Sequence, residues 1–336
     1  MNHLFSVRSL IRLPFDLFFS GVVLLNCTVI LLVFSPLTSQ AQDDIQPLNV
    51  ENIDDLPNDQ EKERTAYSFI DAAKDLYKSH QYDSAFFYID IAKRLADQVQ
   101  SEQLFADLFY AEGQANYYKG SHKEAGNAYL KSIQFLTELK DTSKLAKTYN
   151  SLGIVRKHQG KYYEAVKALN KALEYYHLTV DYKGMALVEL NMGNVLKNLG
   201  KPEQAKKKYK NALEIFIEYD MKSNQASCLN NLGNLFKNAE EYDSAFHYLS
   251  QTLEIRKELG DEILLSYAYH NMANLYSRME IFDSATYYID ASLKIKSKYN
   301  NRLQIAADYD TYGSLYGRQE KWPQAVFYFE KALNIY

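Results

Sequence analysis

One interval organises most of this chain: small residues return every forty positions. Gly113, Gly153, Gly193, Gly233 and Gly313, completed by Ala73 and Ala273, occupy one column, and twelve positions on stand Ala85, Ala125, Ala165, Ala205, Ala245, Ala285 and Ala325. Two further columns read Ala66, Ala106, Ala146, Ala186, Ala226, Ser266, Ala306 and Ala92, Ser132, Ala172, Ala212, Thr252, Ser292, Ala332. A period of this length marks a unit that buries its apolar face against its own copies rather than inside a globular core. Composition narrows the choice further. Only 13 Gly and 6 Pro among 336 residues leave little material for the turns of a β-sandwich, and 47% apolar residues are too many for a disordered chain. Helices remain.

The columns describe two antiparallel helices pressed together. Small residues let the backbones approach, and large ones such as Tyr82, Tyr162, Tyr242, Phe282 and Trp322 fill the volume beside them. A turn between the two helices is expected at Gly120, Gly160 and Gly200, where later units carry Glu240, Glu280 and Glu320. Ser101, Asp141, Asp181, Asp261 and Asn301 recur before the next unit and are expected to cap its first helix, since their side chains accept from its free N–H groups. Cys228 stands among apolar neighbours, so a buried, inert thiol is expected.

Segments such as NSLGIVRKHQGKYYEAVKALNKALEYY and NMGNVLKNLGKPEQAKKKYKNALEIF resemble the tetratricopeptide repeat, and the resemblance covers residues 66–336. It implies an all-α, right-handed superhelical solenoid of about seven αα-hairpins, with repeats starting at residues 66, 106, 146, 186, 226, 266 and 306. The usual unit has 34 residues, and the proline that often ends its second helix is absent. Long-period units of this kind resemble the arrays of kinesin light chains and of bacterial signalling proteins. The last repeat ends on Phe327, Tyr328, Phe329, Leu333, Ile335 and Tyr336. Solenoid ends need a solvated face, so a fragment, or an end covered by a partner or second copy, is expected.

The amino terminus has a different character. Arg8 and Arg12 precede an uncharged apolar run from Leu17 to Phe34, then Ser39 and Ala41. Residues 1–41 therefore read as a cleaved export signal, with a retained anchor as the alternative, and place the rest of the chain outside the cytoplasm, periplasmic or at the cell surface. Residues 42–65 follow as an acidic linker. A net charge of −4 argues against nucleic acid, which calls for excess positive charge. Contact with a membrane is expected only through the N-terminal segment or a missing C-terminal anchor.

Catalytic signatures are missing: the sequence holds no P-loop, G-x-S-x-G, H-E-x-x-H or C-x-x-C. The seven histidines share no repeat position, so no metal or other cofactor is expected. The remaining candidate is the surface that, in the family resembled, lines a concave groove. Position 9 of the repeat offers Asn194, Asn234 and Asn274, position 12 Lys157, Lys197 and Lys237, and position 13 Asn198, Asn238, Arg278 and Arg318. Amides spaced one per repeat can donate to and accept from an extended polypeptide, and the cations would favour acidic groups. A dicarboxylate clamp of the chaperone-binding type would want Lys at position 5, where this chain carries none. The cluster Lys206, Lys207, Lys208 and Lys210 reads as a solvated face, and Tyr248, Tyr288 and Tyr328 as packing. The expectation is a non-catalytic scaffold holding a protein or peptide partner. The alternative is the sensory part of a membrane signalling protein, a histidine kinase or helix-turn-helix regulator.

Overall fold

The structure, a computed structural model, describes residues 56–336. The expected leader and most of the acidic spacer lie outside the described residues. Fourteen helices follow one another, with no strand among the described residues: α1 (Asp59–Lys78), α2 (Tyr82–Val99), α3 (Glu102–Lys119), α4 (His122–Glu138), α5 (Thr142–His158), α6 (Tyr162–Leu178), α7 (Tyr182–Asn198), α8 (Pro202–Glu218), α9 (Lys222–Asn238), α10 (Tyr242–Leu259), α11 (Glu262–Arg278), α12 (Phe282–Lys298), α13 (Arg302–Arg318) and α14 (Trp322–Leu333). They pair as seven hairpins, each odd-numbered helix against the even-numbered one after it. The helix α1 starts inside the stretch read as linker. Asn58 accepts from the Glu61 N–H, and Asp59 and Glu61 suit the positive end of the helix.

Within a hairpin the glycine column sits against a large residue on the second helix. A Cβ on Gly113 would lie 2.5 Å from the Tyr129 ring, and one on Gly193 2.5 Å from the Tyr209 ring. No side chain fits there. In the two hairpins that carry Ala73 and Ala273 instead, the corresponding large residues are Ile89 and Ile289, packed in the same clusters as those alanines. Gly153 and Gly233 face Leu169 and Leu249 at similarly short range, so it is shape that pairs the columns: side chains branching beyond Cβ sit on glycine, and β-branched Ile on alanine.

Every helix-to-helix turn passes through one left-handed residue. Gly120, Gly160 and Gly200 suit this, whereas Glu240, Glu280 and Glu320 adopt it at φ of 62°, 60° and 58°. Between hairpins the least suited residue is Val180, β-branched at φ 53°. Ser101, Asp141, Asp181 and Asp261 cap the following helices, accepting from the N–H of Leu104, Lys144, Gly184 and Leu264 at 3.3, 2.9, 2.9 and 3.0 Å. Asn301 differs from expectation: it occupies the cap position of α13 without a side-chain cap, and its Nδ2 donates to the Tyr267 hydroxyl at 3.4 Å.

Neighbouring hairpins touch through their first helices in α1/α3, α5/α7, α9/α11 and α11/α13, while the second helices make no comparable contact among the described residues. Such an array bends with its odd-numbered helices inside. At the junctions, position 31 of one repeat packs with position 3 of the next. Tyr176 and Val188, and Phe216 and Cys228, belong to one apolar cluster. At the last junction these columns hold Lys296 and Asp308, only 2% and 0% exposed. Asp308 accepts from Lys296 Nζ, Ser292 Oγ and His270 Nδ1, each at 2.7 Å. One junction earlier the cation is Arg256, but the residue in the column of Asp308 is Ala268.

The convex α14 leaves Phe327, Phe329 and Leu333 exposed, while Tyr328 stacks on Tyr312 with ring centres 4.6 Å apart. Tyr248 and Tyr288 likewise stack, on Phe236 and Tyr276. These tyrosines are packing residues. The lysine cluster on α8 is partly paired: Lys206 lies 3.1 Å from Glu203 and Lys208 2.7 Å from Glu189, with Lys207 and Lys210 exposed.

Candidate functional site

The inner helices converge on a cavity of about 350 Å³ walled by Lys157 from α5, Asn194, Lys197 and Asn198 from α7, and Asn230 and Asn231 from α9. Four of the ten residues singled out from the sequence meet here. The far wall comes from α10 and α11, including Arg256, Tyr267 and Ala268. Among the described residues, Lys157, Lys197 and Arg256 form no ion pair with an acid. Lys157 is pushed to a lower pKa first by burial and then by the charge of Lys197, and Lys197 is lowered by burial too.

The amides are oriented by one another. Asn194 Oδ1 accepts from the Tyr209 hydroxyl at 2.9 Å and from Asn231 Nδ2 at 3.3 Å. Asn230 Oδ1 accepts from Asn271 Nδ2 at 2.6 Å, and Asn150 Oδ1 from Asn191 Nδ2 at 3.0 Å. The ladder therefore clasps neighbouring inner helices through its oxygens. Its amide NH₂ groups at Asn194 and Asn230 remain to face a ligand.

The other sequence candidates are placed elsewhere. Asn234 donates to the Asn230 carbonyl at 3.0 Å, Asn274 is half-buried, and Asn238 and Arg318 are exposed. Arg278 lies by a second hollow that Glu240, Glu241, Asp243 and Glu280 also line, so its charge faces acids rather than the amide-lined cavity. Lys237 corrects the expectation of three lysines in a row, since it is 6% exposed. Burial, assisted by the charge of Arg278, pushes its ammonium down from 10.5 to about 8. The buried charge opposes folding at neutral pH. Between about 8 and 10.5 the native chain binds fewer protons at this site than the unfolded chain, so stability rises with pH there. Lys237→Met is accordingly expected to raise the melting temperature at pH 7, with an advantage that shrinks as the pH climbs through that window. Thermal melts of both proteins at pH 7 and pH 10 check it, and a constant difference would reject it.

Arg256 was not singled out from the sequence, although a signal was available. Its column reads Ala96, Leu136, Tyr176 and Phe216 before it, so a cation there breaks the apolar pattern. It is 6% exposed and donates to Ser223 Oγ, Ser223 O and Ser227 Oγ at 3.0, 3.1 and 3.1 Å. His122 and His158, on different helices, stack with ring centres 4.9 Å apart, a contact invisible to a search for i, i+4 pairs. Among the described residues no group of three His, Cys, Asp or Glu is placed to hold a metal, and no helix is long and apolar enough to cross a membrane. Cys228 is buried, its thiol pushed up to about 12 by burial.

Family models of the tetratricopeptide repeat match residues 146–176, 184–258 and 264–336. No curated protein matches the sequence. Among solved structures, the fold is similar to the apo form of RapI, at 16% identity and TM-score 0.67 over 80% of this chain and 97% of that one. It is similar to aspartyl phosphate phosphatase F from Bacillus subtilis, at 15% identity and TM-score 0.68 over 84% of this chain and 76% of that one. NprR in complex with its cognate peptide NprX is similar too, at 17% identity and TM-score 0.59 over 82% of this chain and 79% of that one. At these identities the likeness concerns the fold.

Proposed function

The chain belongs to the tetratricopeptide repeat family, and from that premise we propose that it is a non-catalytic interaction module that holds an extended polypeptide along its inner helices. The observation that carries this reading is the oriented amide row across α5, α7, α9 and α11. Its members are fixed to one another at repeat spacing, and inner helices lie roughly 8–10 Å apart. An extended strand advances roughly 3.3 Å per residue, so one amide meets about every third residue. Rigid, pre-oriented donors lower the ordering cost of binding. NprR, with a similar fold, has been solved with a peptide.

The test compares two faces of the full chain. A photo-crosslinking side chain at Asn198, exposed on the inner α7, is expected to capture a polypeptide from the native host, and one at Lys207, exposed on the outer α8, to capture none. Replacing Asn194, Asn234 and Lys197 together by Ala should reduce that capture at least about tenfold with unchanged helicity. Capture from the outer face alone, or undiminished capture by the triple variant, would sink the reading.

A further inference from the structure

We propose that the cavity bounded by α5, α7, α9, α10 and α11 is a carboxylate subsite: it takes an Asp or Glu side chain of the bound polypeptide and thereby sets its register. The proposal rests on the peptide-binding reading above and adds a specificity to it.

Three observations point to an anion. First, the wall carries Lys157, Lys197 and Arg256 and no acidic residue. Cations of like sign gathered in one hollow repel, and an anion among them relieves that repulsion, most of all for the buried Arg256. Second, two of the amides present donors. The oxygens of Asn194 and Asn230 are engaged by Tyr209, Asn231 and Asn271, which leaves their NH₂ groups unpaired, whereas Asn231, whose Nδ2 is used, keeps its oxygen. A wall of ammonium and amide N–H matches a carboxylate and disfavours a cation or a bare carbonyl-seeking donor.

The third observation comes from the chain's own repeats. At the neighbouring junction, Lys296 is neutralised by Asp308, while forty residues earlier Arg256 has Ala268 in that column, and both Arg256 and Ala268 line the cavity. The acid that acts on Arg256 is Asp261, whose carboxylate is engaged in capping α11 and is not part of the wall. The protein supplies the carboxylate at one junction; at the next, only neutral oxygens of Ser223 and Ser227 meet the cation and the column of the acid holds Ala268. A volume of about 350 Å³ exceeds what one carboxylate needs and leaves room for the flanking backbone. The cations here come from positions 12 and 31, not from the position 5 lysines of a chaperone-type clamp.

The test pans a library of random octapeptides, amidated at the carboxyl end, on the full chain. The wild type is expected to retain peptides enriched in Asp and Glu at one position. A retained peptide should bind about tenfold or more tightly than its Gln counterpart, as hydrogen bonds to a charged group predict. Two variants should abolish the acidic enrichment among whatever peptides each retains: Lys197→Glu, and Ala268→Asp, which would place an internal carboxylate against Arg256 as Asp308 stands against Lys296. Both are expected to keep their helicity by circular dichroism, and Lys197→Glu serves alone if Ala268→Asp does not fold. Peptides retained without acidic enrichment overturn the carboxylate subsite and spare the groove reading. Thermal stabilisation by millimolar inorganic phosphate with no peptide retained would make this a site for a free anion, and neither effect would reject the groove reading as well.

Discussion

Asp308→Ala is expected to cost about 3–5 kcal/mol, because it leaves Lys296 charged and buried without its partner. Lys296 is 2% exposed, and Asp308 also anchors Ser292 and His270, so three donors lose their acceptor at once. Repeat arrays lose structure unit by unit rather than all together. The loss should therefore appear first as faster amide hydrogen exchange in α13 and α14, with α5 to α8 unaffected. A companion variant separates charge from packing. Lys296→Tyr with Asp308→Val copies the apolar pair Tyr176 and Val188 of an earlier junction. Replacing a buried ion pair by apolar groups of fitting size is often neutral or stabilising. The double variant should thus stand close to the wild type or above it. Equal exchange rates in Asp308→Ala and the wild type would show that the ionic junction contributes nothing.

Gly193→Val is expected to destabilise the central hairpin by about 3 kcal/mol, the upper part of the range for overpacked cores. Its Cβ would come within 2.5 Å of a Tyr209 ring that is fully buried and hydrogen-bonded to Asn194, so the ring has nowhere to turn. The shift would also disturb the amide row, and peptide binding should fall with stability. Another hairpin of the same chain supplies the rescue: Gly193→Ala with Tyr209→Ile reproduces Ala273 and Ile289, and the alanine adds helix propensity of about 1 kcal/mol. Chemical denaturation followed by circular dichroism reads both. A Gly193→Val protein as stable as the wild type would mean that the helices can separate without cost.

Periodicity made the fold legible in detail. Seven hairpins, their turns and four of five expected caps are where the columns put them, because each depends on a residue's size or its bonding to nearby backbone. Asn301 escaped: its side chain reaches Tyr267 on a helix of another hairpin, a contact that the local sequence does not show. The inner surface was readable as a set of positions but not as a set of depths. Lys157, Lys197 and Lys237 share one column, yet the first is half-buried, the second exposed and the third enclosed, since depth depends on what the next repeat places above each one. Arg256 sits on the second helix of its unit, which forms the far wall of the cavity, so the first-helix columns do not reveal it.

The buried pair of Lys296 and Asp308 also bears on how the array assembles correctly. Units of identical length with interchangeable small and large columns are near-equivalent mates, so a hairpin that docks one place out of sequence satisfies most of the same contacts. Lys296 removes that degeneracy. Docked on any other first helix it would meet Leu108, Thr148, Val188, Cys228 or Ala268 in place of Asp308, and a lone enclosed ammonium would reject the wrong neighbour. Two charges in an otherwise apolar seam act as a lock that accepts one key, and they order the final units along the chain.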